Sequence, residues 1–187
     1  MRALYQHQQD HYGYVPNYAK VFCHRPELMA LWANLLAGIR RHIEPRPFEL
    51  ATLAAAHALK NSACALAHGQ ALTRFYSTDE VLAILDDSRA APLSAAERGL
   101  VRFARKVAQD AAAIQAEDVA ELRRLGYADE QVFDIAITAA ARAFFTKVLD
   151  AVGVLADSSA NQMAEPLRQA LTVGRAIDGA PTERLAE

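Results

Sequence analysis

Three observations predict an all-α protein. Alternating runs of β-branched residues are missing. Ala, Leu, Glu, Gln and Arg, all helix-favouring, dominate instead. Pro and Gly fall mostly between the apolar-periodic segments, where they punctuate helices rather than break them. With 187 residues, 52% of them hydrophobic, the chain has enough apolar material for one core. We expect a single all-helical domain over residues 1–157. A C-terminal extension, partly helical or loosely ordered, covers 158–187.

The elements follow in order. Residues 1–12 suit a short polar helix, and Gly13-Tyr14-Val15-Pro16-Asn17 reads as a turn or extended stretch. Pro26 opens a helix to His42, because proline suits the first helical turn. Its apolar stripe is Leu28, Leu31, Leu35 and Ile39, spaced by three and four. Ile43-Glu44-Pro45-Arg46-Pro47 is a break, and an Ala-rich, weakly charged helix follows from Pro47 to Leu59. Asn61 or Ser62 is a cap for a helix over Ala63–Tyr76. Ser77-Thr78-Asp79-Glu80 and Ser94-Ala95-Ala96-Glu97 are capping boxes, each opening a further helix. A shorter helix covers Ala116–Leu125 and stops at Gly126. The longest, Asp129–Val152, stops at Gly153 and has almost no polar face, which suits a bundle centre or a subunit interface. Met163–Val173 forms one more helix, and the last dozen residues are expected to be poorly ordered.

Composition excludes several functions. A net charge of −2 gives no electrostatic reason to expect nucleic acid or an anionic membrane as partner. Two cysteines, Cys23 and Cys64, are too few for a disulfide-stapled secreted domain. No signal-peptide run or membrane span is evident, so a reducing cytoplasm is the expected compartment. Glycine-rich phosphate loops and a Gly-x-Ser-x-Gly elbow are missing. His7 and His11 have a two-ligand spacing but sit in a polar terminal segment, and His57 and His68 have no convincing third ligand. Neither a metal nor a cofactor is expected.

The chemistry-bearing stretch is Asn61-Ser62-Ala63-Cys64-Ala65-Leu66-Ala67-His68-Gly69. Cys64 and His68, four apart, lie on one helix face. The first turn of a helix favours a thiolate, and a neighbouring imidazolium favours it further. Glu49 is placed to orient that imidazole or relay a proton to it. Each residue also has a structural reading: Cys64 as a small buried hydrophobe, His68 as a hydrogen-bonded core histidine, and Glu49 as a helix N-terminal carboxylate.

From Phe48-Glu49-Leu50 through Cys64-Ala65-Leu66-Ala67-His68, the chain resembles the carboxymuconolactone decarboxylase and alkylhydroperoxidase D-like family. The resemblance runs from about Gly13 to Gly153. Leu93-Ser94-Ala95-Ala96-Glu97-Arg98 and Ala140-Ala141-Arg142-Ala143-Phe144-Phe145 are similar to peroxidase-related members. It implies an alkylhydroperoxidase D-like helical bundle that is commonly homo-oligomeric. It also implies catalytic residues Cys64, His68 and Glu49, a hydroperoxide substrate and a thiol reductant. Asn61 stands where the family often has the first cysteine of Cys-x-x-Cys. A second thiol must therefore come from Cys23, a partner subunit or a small cytosolic thiol. Two alternatives stay open: an acid–base enzyme of the decarboxylase kind using His68 and Glu49, and a degenerate oligomeric binding protein.

Overall fold

The structure is a computed structural model that describes residues 2–86 and 90–179. Among these, ten α-helices and no strands are present. The helices are α1 (Arg2–Tyr12), α2 (Asn17–Phe22), α3 (Pro26–Ile39), α4 (Pro45–Ala58) and α5 (Ser62–Leu72). They continue as α6 (Thr78–Leu85), α7 (Ala95–Asp110), α8 (Ala116–Arg124), α9 (Asp129–Ala151) and α10 (Glu165–Leu171). No helix is long and apolar enough to cross a membrane.

Helix α4 lies at the centre, packed on α5, α7 and α9. Its small residues explain that position. Ala51, Ala54, Ala55 and Ala56 are buried beside Phe48, Leu50 and Leu53, and alanine lets neighbouring helices approach closely on several sides. Both capping boxes form, Ser77 with Glu80 and Ser94 with Glu97. Gly126 and Gly153 adopt φ of +98° and +77°, as a left-handed helix terminator requires.

Several boundaries differ from expectation. The proline break after Ile43 lies inside α4, with Pro45 at the first helical position and Pro47 in the first turn. Those N–H groups have no intrahelical acceptor anyway, so two prolines fit there at little cost. Asn17–Phe22 is helical although no periodicity signals it, and Cys23 caps its end. Helix α5 stops at Leu72 rather than Tyr76.

The face of α3 is the main correction. Leu28, Leu31 and Leu35 point outward, Leu31 being 62% exposed, while Met29, Trp32 and Ile39 are buried. The cause lies on α9: Trp32 stacks on Phe145 at 4.7 Å with the rings 7° from parallel. Burying that aromatic pair outweighs burying the leucine stripe.

Past Asp157 the chain forms a short 3₁₀ turn and then α10, whose Leu167 and Leu171 are buried. Helix α10 packs on α5 and α6. Leu171 sits against Gly69, where any side chain would collide with it. The Gly174 amide donates to Ser62 Oγ at 2.9 Å, tying this segment to the start of α5. The expectation of disorder for the final residues falls mostly on 180–187, outside the described residues.

Candidate active site

Helix α5 presents Cys64, and Asn61 fixes where that helix begins. Asn61 is the N-cap: its Oδ1 accepts from the Cys64 amide at 2.8 Å. Its Nδ2 donates to the Thr146 carbonyl of α9 at 3.5 Å. The residue standing in place of a second cysteine therefore has a structural task of its own. Asn61→Ala is expected to cost about 1 kcal/mol, and Asn61→Cys a similar amount since a thiol is a poor cap acceptor. Urea melts of both variants check this, and unchanged stability would contradict it.

Cys64 is buried at 4% exposure and lines a cleft of ≈ 990 Å³. His68 and Glu49 line the same cleft, so the three residues expected from sequence converge there. Glu49, on α4, is buried and bonded to His68 Nδ1 at 2.6 Å. Arg40 and Arg74 flank the other carboxylate oxygen at 3.3 and 3.8 Å. Burial opposes ionisation of Glu49. The hydrogen bond to His68 and the charges of Arg40 and Arg74 outweigh it, holding its carboxyl below the ordinary range. Its place deep in a helix–helix contact replaces the reading as a simple N-terminal carboxylate.

The imidazole behaves differently from expectation. Burial, and then repulsion from Arg142, depress its pKa to about 4, against the pull of Glu49. At neutral pH the ring is uncharged, so no imidazolium stabilises a thiolate. A carboxylate only accepts, so Nδ1 must carry the proton that bonds Glu49. Nε2 is then the unprotonated nitrogen, a base held in one tautomer.

The cation beside Cys64 is Arg142 of α9. Its Nη1 donates to Sγ at 3.5 Å. Burial pushes the Cys64 thiol up, and Arg142 opposes that through charge and hydrogen bond. No hydrogen bond joins Cys64 to His68 among the described residues. Sequence reasoning gave Arg142 no part in the site, although a signal was there: it is the lone arginine in the apolar run Ala139–Phe145, and arginine is almost never fully buried unless paired. Cys23 lies elsewhere, half-buried at the end of α2, and both cysteines are free thiols. No cluster of three or more metal-ligating side chains occurs among the described residues.

The same two groups make the fold acid-sensitive. His68 is neutral when folded but titrates near 6.5 when unfolded, so the unfolded chain binds more protons as pH falls. Glu49, with its lowered value, acts in the same direction further down. Stability is full above pH 6.5 and declines toward pH 4, on the order of 3 kcal/mol from His68. Urea midpoints taken across that window check it, and a flat profile would contradict it.

Residues 26–106 match the model of the carboxymuconolactone decarboxylase family. No curated protein matches the chain significantly. Among solved structures, an uncharacterized peroxidase-related protein from Ralstonia eutropha, described as an alkylhydroperoxidase AhpD core, superposes with a TM-score of 0.75 at 22% identity, covering 87% of each chain. A peroxidase-related protein from a Silicibacter species gives the same figures. The debrominase Bmp8, as a variant in complex with 2,3,4-tribromopyrrole, superposes with a TM-score of 0.73 at 18% identity, covering 88% of this chain and 89% of its own. Residues 26–106 thus resemble the carboxymuconolactone decarboxylase family, and the chain as a whole has an alkylhydroperoxidase D-like helical fold.

Proposed function

We propose that the protein is a thiol-dependent, peroxidase-like oxidoreductase that reduces a hydroperoxide at Cys64. One observation carries the reading. A thiol contacting a buried guanidinium shares a cleft with a neutral histidine oriented by a carboxylate. His68 Nε2 takes the thiol proton across the cleft, and Arg142 stabilises the thiolate as its negative charge develops. The sulfur attacks the outer peroxide oxygen and the O–O bond breaks. Cys64 becomes a sulfenic acid, oxidised by two electrons, and the alkoxide leaves. The proton on His68 passes to that alkoxide, giving an alcohol. Two thiol equivalents then return the sulfenic acid to the thiol, releasing water and a disulfide. Cys23, a thiol on a partner subunit or a small cytosolic thiol would supply them.

The test is direct. Protein treated with an organic hydroperoxide and dimedone should carry the adduct on the Cys64 peptide, read by mass spectrometry. An unmodified Cys64, at peroxide levels that oxidise free cysteine, would end the reading.

A second reading is favoured by the missing hydrogen bond between Cys64 and His68. Glu49 and His68 form a complete acid–base pair without the thiol, as a decarboxylase-like enzyme would use. A debrominase of similar fold, solved as a variant in complex with 2,3,4-tribromopyrrole, supports keeping chemistry other than peroxide reduction as this second reading.

We also infer a homo-oligomer. Leu28, Leu31 and Leu35 of α3 are exposed, as is Phe144 of α9, which contacts Trp32. Together they give a second copy an apolar face to cover. Light scattering at micromolar concentration should give a multiple of the chain mass, and a monomer would count against this.

A further inference from the structure

Arg142 has more hydrogen-bonding capacity than the fold uses. It is 5% exposed and lines the cleft. Its Nε is buried with no hydrogen-bond partner, and no carboxylate lies within ion-pair distance of it among the described residues. Its polar contact is the Cys64 sulfur at 3.5 Å, which is a weak acceptor as a thiol. Two rings flank the guanidinium, Phe145 at 5.5 Å and Trp32 at 5.8 Å from centroid to Cζ. Ring faces soften the burial of a cation but do not supply an anion.

The other carboxylates of the cleft are already engaged. Glu49 is shared among His68, Arg40 and Arg74. Asp157 accepts from the Asn17 amide at 2.7 Å. Three guanidiniums, those of Arg40, Arg74 and Arg142, line the cleft against these two carboxylates. A concave site with a cationic excess and a low-dielectric floor concentrates anions. Its walls include Met29, Trp32, Leu36, Phe48 and Phe145, which match a hydrocarbon or ring body.

We propose that the cleft binds an apolar carboxylate, with its acid group on Arg142 and its body against Trp32, Met29 and Phe145. A planar two-oxygen acid suits the terminal amino groups of this guanidinium, one of which has only a weak sulfur acceptor. The inference deepens the thiol reading by naming its substrate class, a hydroperoxide that carries an acid group. It rests on that reading for the reaction but not for the binding.

Trp32 is the sole tryptophan, so its fluorescence reports on this site. Full-length protein is titrated with cyclohexanecarboxylate and, separately, with the uncharged cyclohexanecarboxamide. A saturable fluorescence change is expected with the carboxylate, at least tenfold tighter than with the amide. Equal affinities, or no saturable binding of the carboxylate, would overturn the proposal in the wild-type protein alone. Arg142→Lys, with its fold checked by circular dichroism, should weaken carboxylate binding about tenfold, and unchanged affinity in folded variant would also overturn it. Cys64→Ala separates the two readings: it removes the peroxide reaction but should leave carboxylate binding intact. Loss of binding in folded Cys64→Ala protein would contradict seating on Arg142.

Discussion

Replacing Cys64 with Ser is expected to abolish hydroperoxide turnover, a fall of at least about a thousandfold, while the protein stays folded. A hydroxyl is far less acidic than a thiol and does not form the oxidised intermediate. The substitution is close to isosteric. Arg142 Nη1, which donates to the sulfur at 3.5 Å, can donate to an oxygen in its place, so the cavity is neither emptied nor left with an orphaned hydroxyl. Peroxide consumption with a thiol reductant, beside a thermal melt, measures both halves. Turnover that survives in folded Cys64→Ser protein would shift the chemistry to Glu49 and His68 and favour the decarboxylase-like alternative.

His68→Gln is the second large effect. It removes the base at Nε2 while an amide can still donate to Glu49, which keeps the buried carboxylate partnered. General-base catalysis typically contributes 10²–10⁴-fold, so the rate of Cys64 oxidation should fall by roughly that range at neutral pH. The same variant carries a thermodynamic signature. Because the neutral, half-buried imidazole makes the fold acid-sensitive between about pH 6.5 and 4, His68→Gln should flatten the upper part of that stability profile. A rate loss with the acid sensitivity unchanged would mean that His68 is not the group that titrates.

Much of the fold was legible because its signals are local. The two Ser-x-x-Glu boxes, the terminating glycines and the long apolar run of α9 each depend on neighbours a few residues away. What was not legible depends on partners distant in sequence. The rotation of α3 is set by Phe145 on α9, and no periodicity within α3 distinguishes Trp32 from Leu31 as the inward residue. The site divides the same way. Cys64 and His68 share one helix and Glu49 stands on the preceding one, so spacing brought them together. Arg142 enters from a separate helix, and its proximity to the sulfur follows only from the packing of α9. The electrostatics also reversed with burial. A solvent-exposed Cys–His pair would favour a thiolate and an imidazolium, but here low polarity favours the neutral forms of both. Ionisation of the sulfur thus becomes a step in the proposed reaction rather than a resting condition.

The central claim is that a neutral Glu49-oriented histidine and a buried arginine make an otherwise protonated thiol reactive toward peroxide. The second-order rate constant for oxidation of Cys64 by an organic hydroperoxide at pH 7, set beside free cysteine, tests it most directly. A constant above that of free cysteine that collapses in His68→Gln is the expected result. A Cys64 that reacts no faster than free cysteine, or just as fast without His68, would contradict it.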